Sequence, residues 1–363
     1  MFFYIPTKVF SEKECVFAHR RELASLGTHA LIVTGRSSSR KNGSLSDTEK
    51  ALGECSVGFT VFDGVEENPS VETVMKARDI GISSGADFVI GIGGGSPLDA
   101  AKAIAVMMKE SLAQRELLFD SSASPAHLPV AAIPTTCGTG SEVTGISVLT
   151  RHDLRTKMSM THKVFPDLAL CDGKYILTAP QRLIAATAVD ALSHLIESYI
   201  NSTATDYSRM IADAGLGKWR ECRGYLNGSI PLDYEGAVSL MTASTIGGMA
   251  IAHTGTTIPH GLSYTLTYEG GVPHGAAVGA FQKGYVQNAC KGDREHILSL
   301  TGFADTDELG SFIAEISPVN VSAELLEKAA DAVMKNTRKL ASCPYEVNRE
   351  VMSSIIGGVV CSG

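Results

Sequence analysis

A chain of 363 residues exceeds one ordinary domain and suits two, each large enough for its own core. With 44% hydrophobic and 19% charged residues, its composition is that of a folded globular protein and not of a disordered one. A net charge of −8 argues against nucleic acid or an anionic membrane as the main partner.

Eight cysteines, at 15, 55, 137, 171, 222, 290, 343 and 361, show no C-x-x-C spacing. They read as reduced thiols of a cytoplasmic protein. The apolar start Met1 to Ile5 is cut off by Pro6 and Lys8, too short for a signal sequence, and Pro6 suits an edge strand. No run approaches the roughly eighteen apolar residues of a membrane span, so no membrane partner is expected.

Farther along, four short apolar runs each end on a turn signal. Ala30–Val33 stops at Thr34-Gly35, Phe59–Phe62 at Asp63-Gly64, Phe88–Ile92 at three glycines and Val130–Ile133 at Pro134. Continuous apolar runs separated by helical stretches such as Ser70–Ser83 predict parallel strands covered on both faces, a doubly wound α/β arrangement. From about Thr178 the pattern turns helical. Pro180 precedes Leu183–Ile200, and further helical stretches cover 206–225, 234–252, 280–300 and 323–341. The expected division is an α/β domain over 1–175, with a mostly parallel sheet, and an all-α domain over 176–363.

The segment Val89 to Lys102 reads strand, glycine turn, helix. Glycines let an anion approach the backbone, and the exposed amides at the helix start suit a phosphate. A second polar turn, Pro134-Thr135-Thr136-Cys137-Gly138-Thr139-Gly140-Ser141-Glu142, follows a buried strand, where open α/β sheets place ligands.

Asp190 and His194 stand at i and i+4 in a run of strong helix formers, one turn apart on one face. A carboxylate on an apolar helix needs a partner. His260 and His274 each follow a proline and precede a glycine. One Asp with three His suits Fe²⁺ or Zn²⁺ and not Mg²⁺ or Ca²⁺; ligand type does not separate the first two.

These pieces resemble the iron-containing (group III) alcohol dehydrogenase family over nearly the whole chain. The matching residues are Gly64-Val65-Glu66-Glu67-Asn68-Pro69, Gly93 to Lys102, Pro134 to Val143, Asp190 to Glu197 and the two Pro-His-Gly steps. The resemblance implies an N-terminal dinucleotide-binding domain, a C-terminal metal-binding domain and a nicotinamide cofactor in the cleft between them. It implies Asp190, His194, His260 and His274 as metal ligands. Gly94, Gly95, Ser96 and Asp99 are implied as diphosphate contacts, and Thr135, Thr136, Thr139 and Lys157 as further cofactor contacts, with Lys157 near a ribose. The implied reaction is reversible hydride transfer between NAD(P)(H) and a small alcohol, aldehyde or ketone, in a homodimer.

Two departures matter. Many members carry, after the second strand, an Asp that binds the adenosine ribose; here Gly35 to Lys41 holds no acid. Ser37, Ser38 and Ser39, with Arg40 or Lys41, suit a 2′-phosphate instead, so NADP(H) is favoured and NAD(H) remains possible. Members also commonly carry a second histidine four residues after the ligand at His260, where this chain has Tyr264, which becomes the candidate catalytic group. Two other readings stay open: a lyase of the dehydroquinate-synthase type, and a catalytically silent cofactor-binding protein.

Overall fold

The structure, a computed structural model, describes residues 2–359. Cys361 therefore lies outside the described residues. Eight strands form in chain order: β1 Lys8–Ser11, β2 His29–Gly35, β3 Gly58–Val65, β4 Phe88–Gly93, β5 Val130–Pro134, β6 Val148–Arg151, β7 Thr156–Ser159 and β8 Leu168–Cys171. Six make one sheet in the order β1-β8-β5-β4-β2-β3, all pairings parallel.

The apolar runs explain why β2, β4 and β5 are buried on both faces, whereas β3, whose run Phe59–Phe62 was expected to be covered as well, is an edge strand that leaves Phe59 exposed. Successive side chains of a strand point to opposite sides. Leu31, Val33 and Val89 join one core cluster with the helices Val71–Ser83 and Gly95–Lys109. Their neighbours Ala30, Ile32, Phe88 and Ile90 join a second cluster with Leu45, Ala51 and Leu52 of the helix Ser44–Glu54. A strand flanked by two cores has no polar face, so its sequence runs apolar without alternation.

The N-terminal strand is an edge strand, as Pro6 suggested, and the run Ser70–Ser83 is a helix with Ser70 as its cap. The antiparallel hairpin β6–β7 and the short strand β8 are additions that the apolar pattern did not signal. The chain moves outward from β2 to β3, then crosses β2 to reach β4. The switch point of the sheet thus lies between the carboxyl ends of β2 and β4, the place where such sheets leave a crevice.

The chain divides into two compact units. One comprises Ile5–Thr136 with Gly140–Ala179, which is the α/β unit. The other runs from Pro180 onward and also takes Cys137–Thr139 and a short N-terminal stretch ending at Tyr4. This second unit is helical, and its longest members are Gln181–Tyr199 and Tyr234–Thr254. The helical stretches expected over 206–225, 280–300 and 323–341 are each broken in two, into Asp206–Arg220 with Arg223–Leu226, Gln282–Gln287 with Lys291–Thr301, and Ala323–Met334 with Thr337–Ala341. No helix among the described residues is long and apolar enough to cross a membrane.

Candidate functional site

In the helical unit, three helices bring the four expected ligands together. Gln181–Tyr199 carries Asp190 and His194, Ile258–Tyr268 carries His260 in its first turn behind Pro259, and His274 opens the helix His274–Gly279. Proline is tolerated at a helix start because the missing N–H has no intrahelical acceptor there. The close seat of the third helix depends on Gly275. A Cβ at that position would stand 2.0 Å from the carbonyl oxygen of Ala186, so only glycine lets His274 reach Asp190.

Asp190 Oδ1 is the centre of the arrangement. It lies 3.8 Å from His194 Nε2, 3.5 Å from His260 Nε2 and 3.8 Å from His274 Nε2. Ligating atoms of Asp190, His260 and His274 all fall within 4.8 Å of one another. Yet Oδ1 is buried without a hydrogen-bond partner. An unpaired buried carboxylate oxygen costs several kcal/mol or so, which a cation removes.

The tautomers point the same way. His194 Nδ1 faces the carbonyl of Gly138 at 3.2 Å, and His260 Nδ1 faces a carboxylate oxygen of Glu197 at 2.7 Å. Both partners only accept, so each Nδ1 carries its hydrogen and donates. The two Nε2 atoms then meet at 3.0 Å with lone pairs directed at one another. Such a pair needs a proton or a metal ion beside it. Without a metal, burial works against charge on His260, but Glu197 and Asp190 push its pKa up to about 9. Burial dominates at His194 and lowers its pKa. At Asp190 the burial penalty is outweighed by His194, His274 and His260, which hold the carboxyl below its usual range. The donor set, one oxygen and three imidazole nitrogens, fits Fe²⁺ or Zn²⁺.

The site has one open side. The side chains of Asp190 and His260 are 4% exposed, and that of His194 is 6%, whereas His274 is 30% exposed. Tyr264, one helical turn after His260, stacks on the His274 ring at 6.4 Å between centroids. It thus stands beside the ligand that reaches solvent. Lys339 places its ammonium 5.9 Å from the centre of the Tyr264 ring while donating to Thr256 O and Oγ1 at 2.8 and 2.7 Å. Burial pushes the Lys339 pKa down to about 8 against the pull of Glu197.

Sequence reasoning missed the role of Glu197. It stands seven residues after Asp190, so the i, i+4, i+7 spacing places it on the same helix face as both ligands. That spacing was the available signal. Burial raises its pKa, but His260 and the other donors around it hold the carboxyl below its ordinary value.

In the α/β unit, the glycine turn ends β4 and starts Gly95–Lys109. Gly93 has φ +149°, and a Cβ there would meet Pro97 at 2.6 Å, so the turn requires glycine. Gly94 faces the Thr136 side chain, and the Thr135 amide donates to Gly93 O at 2.9 Å, which joins the two polar turns. Ser96 Oγ accepts from the Asn68 amide at 3.0 Å. Asn68 O in turn accepts from Thr150 Oγ1 at 2.8 Å, and Thr150 pairs with Lys157 across the hairpin. The Gly64–Pro69 motif therefore links the turn to Lys157. Burial lowers the Lys157 pKa to about 8, opposed by Glu67.

Asp99, expected at the diphosphate, has internal partners. Its carboxylate accepts from Ser141 Oγ at 2.6 Å and the Val148 amide at 2.8 Å. The fully buried Lys102 lies 3.7 Å away and donates to Ser141 Oγ and Ile146 O, both at 2.7 Å. Desolvation raises the Asp99 pKa and lowers that of Lys102 to about 8. This pair ties the helix to the loop after β5. Thr139 is the one expected cofactor contact that groups with the helical unit.

The serine stretch after β2 is divided. Ser37 and Ser38 are exposed, but Ser39 is buried and its hydroxyl accepts from Thr34 Oγ1 at 2.6 Å. Arg40 forms an ion pair with Asp63 at 3.1 Å. Lys41 is exposed.

The comparisons with known proteins agree with this geometry. Residues 6–173 match the model for iron-containing alcohol dehydrogenase, and 184–289 match the C-terminal model of the same family. A crystal structure of an iron-containing alcohol dehydrogenase from Thermotoga maritima is 36% identical, with a TM-score of 0.89 and 98% of each chain covered. NADH-dependent butanol dehydrogenase B of Clostridium acetobutylicum is 35% identical over 67% of this chain and 62% of its own length. Lactaldehyde reductase of Escherichia coli is 34% identical over 68% of this chain and 65% of its own. The match thus spans just under two thirds of these last two relatives. Two family models in sequence, a solved relative matched end to end and an Asp with three histidines about one point place the chain in the iron-containing alcohol dehydrogenase family.

Proposed function

We propose that the chain is a metal-dependent alcohol dehydrogenase and aldehyde reductase, passing hydride reversibly between a nicotinamide cofactor and a small alcohol, aldehyde or ketone. The observation that carries this reading is the buried, unpaired Oδ1 of Asp190 facing three imidazole nitrogens. Asp190, His194, His260 and His274 would hold Fe²⁺ or Zn²⁺, which supplies Lewis acidity at the alcohol or carbonyl oxygen. Substrate would approach beside His274, the most exposed of the four, with the Tyr264 hydroxyl as the nearby hydrogen-bond donor.

In this reading 1–175 is the dinucleotide domain and 176–363 the metal domain. The amides of Gly94, Gly95 and Ser96 receive the diphosphate, assisted by the positive end of the helix Gly95–Lys109. Thr135, Thr136, Thr139 and Lys157 add polar contacts. Asp99 acts here by holding Ser141 and Val148, since a carboxylate would repel a diphosphate directly.

NADP(H) is the proposed preference. Over 35–41 no acid stands ready for a ribose, and Ser37, Ser38 and Lys41 are exposed to receive a 2′-phosphate. With Ser39 turned inward and Arg40 matched by Asp63, the cradle is smaller than the sequence suggested. The Clostridium acetobutylicum relative is named NADH-dependent, so the choice rests on this chain's own loop.

The deciding experiment is a panel of alcohols and aldehydes with both cofactors, followed by nicotinamide absorbance, with metal analysis on the same sample. Turnover with bound Fe or Zn is expected, with the larger kcat/KM for NADP(H). Stoichiometric metal without turnover on any substrate defeats the oxidoreductase reading, and a tenfold preference for NAD(H) defeats the cofactor choice alone.

A further inference from the structure

Glu197 has no place in the ligand set, yet it is fully buried and receives four donors. One carboxylate oxygen accepts from His260 Nδ1 at 2.7 Å and from Gln282 Nε2 at 3.1 Å. The other accepts from the Thr257 amide at 2.6 Å and from Thr257 Oγ1 at 3.0 Å. A buried carboxylate so saturated is rigid, because any rotation abandons at least one charge-assisted bond.

Its place in the fold joins two elements of the site. Glu197 lies on the helix that carries Asp190 and His194, and Thr257 is the residue immediately before the helix that carries His260. The Thr257 amide and hydroxyl bind the same oxygen, so the carboxylate fixes the start of the second helix against the first. His260 then receives both its ring orientation and its tautomer from one group.

We propose that Glu197 is the positioning residue of the metal centre, holding His260 as the Nδ1–H tautomer with Nε2 turned toward Asp190, and that Gln282 and Thr257 keep it there. This rests on the metal reading of Asp190, His194, His260 and His274. The carboxylate also makes the imidazole a stronger donor, because it shares the Nδ1 hydrogen. Glutamine is no substitute. Whichever carboxylate oxygen became an NH₂ would face the Thr257 N–H or the His260 Nδ1–H, and each of these donates.

The test is Co²⁺ titration of the metal-stripped full chain, with affinity from chelator competition and geometry from the visible Co²⁺ absorption. Wild type, Glu197→Gln and Gln282→Met are compared, each with circular dichroism and a melting curve of the metal-free form. We expect Glu197→Gln to bind Co²⁺ about ten- to a hundredfold more weakly with an altered absorption band. Gln282→Met, which keeps the charge and approximate shape but removes one restraint, moves the same way by a smaller factor. A purely structural role would lower the metal-free melting temperature and leave Co²⁺ affinity and absorption at wild-type values; that result overturns the proposal. If Glu197→Gln does not fold, wild-type affinity and absorption in Gln282→Met overturn it alone. A wild-type protein that binds no Co²⁺ fails the metal reading and this inference together, whereas tight wild-type binding with unchanged variants fails this inference only.

Discussion

Replacing Tyr264 by Phe removes one oxygen from the open side of the proposed metal site and leaves the ring that stacks on His274. If the hydroxyl hydrogen-bonds the reacting oxygen and assists proton movement, kcat should fall by about ten- to a hundredfold while metal content and cofactor affinity stay unchanged. An unchanged kcat and pH profile would reduce Tyr264 to a wall of the pocket. Lys157 offers a different test. Its pKa near 8 means that the charged form fades as pH rises past that value. An ammonium that donates to the cofactor should therefore bind it well below pH about 8 and progressively less well above it. In Lys157→Met the cofactor Kd should be weaker and flat across that range; a wild-type Kd that does not rise above pH 8 removes Lys157 from the cofactor site. The four ligand candidates were legible as a set, since a lone histidine reads as a hydrogen-bonded core residue whereas one Asp with three His suits a metal. Carboxylate and imidazole on an apolar helix face are costly enough to announce a partner. Ser39 and Arg40 were not, because no periodicity tells a serine that faces solvent from one that accepts a hydrogen bond inside, as Ser39 does from Thr34.

At the scale of elements, the proposed metal site is a problem of helix approach. The His274–Gly279 helix sits so close to Gln181–Tyr199 that a Cβ at Gly275 would overlap the Ala186 carbonyl. Gly275→Ala should force the helix outward or strain it, at a cost of roughly 1–3 kcal/mol. Because His274 precedes it directly, metal affinity should fall along with the melting temperature. Calorimetry and metal titration on the variant check this, and a variant that melts and binds metal like wild type would show that the contact yields freely. The strands were readable because burial on both sides leaves uninterrupted apolar runs, as in β2, β4 and β5. The hairpin β6–β7 was not readable. Its strands are four residues each, β7 is mostly exposed, and Arg151 to Thr156 between and at their ends is charged and polar like any loop. Its register comes from pairing and from the bridge of Thr150 to Ser70, which is tertiary information.

For the whole molecule, the proposed metal would link local charge to global stability. All four proposed ligands belong to the helical unit, on three helices that are separate in sequence. Removing the ion leaves Asp190 Oδ1 buried without a partner and two imidazole nitrogens 3.0 Å apart. The unfolded chain has no such site, so a metal held there would bind the native state preferentially and stabilise it by mass action. Chelation should therefore lower the melting temperature, and restoring Fe²⁺ or Zn²⁺ should raise it. The gain should grow by about 1.4 kcal/mol for each tenfold excess of free metal over Kd. The α/β unit has its own cores on both faces of its sheet and holds none of these ligands, so its unfolding should respond less. Far-ultraviolet circular dichroism during heating, in which helix loss weighs most, is the appropriate probe. His274→Ala supplies the control: with one ligand gone, its melting temperature should depend little on metal. A wild-type melting temperature indifferent to both chelator and added metal would mean that the cluster of Asp190, His194, His260 and His274 holds no ion.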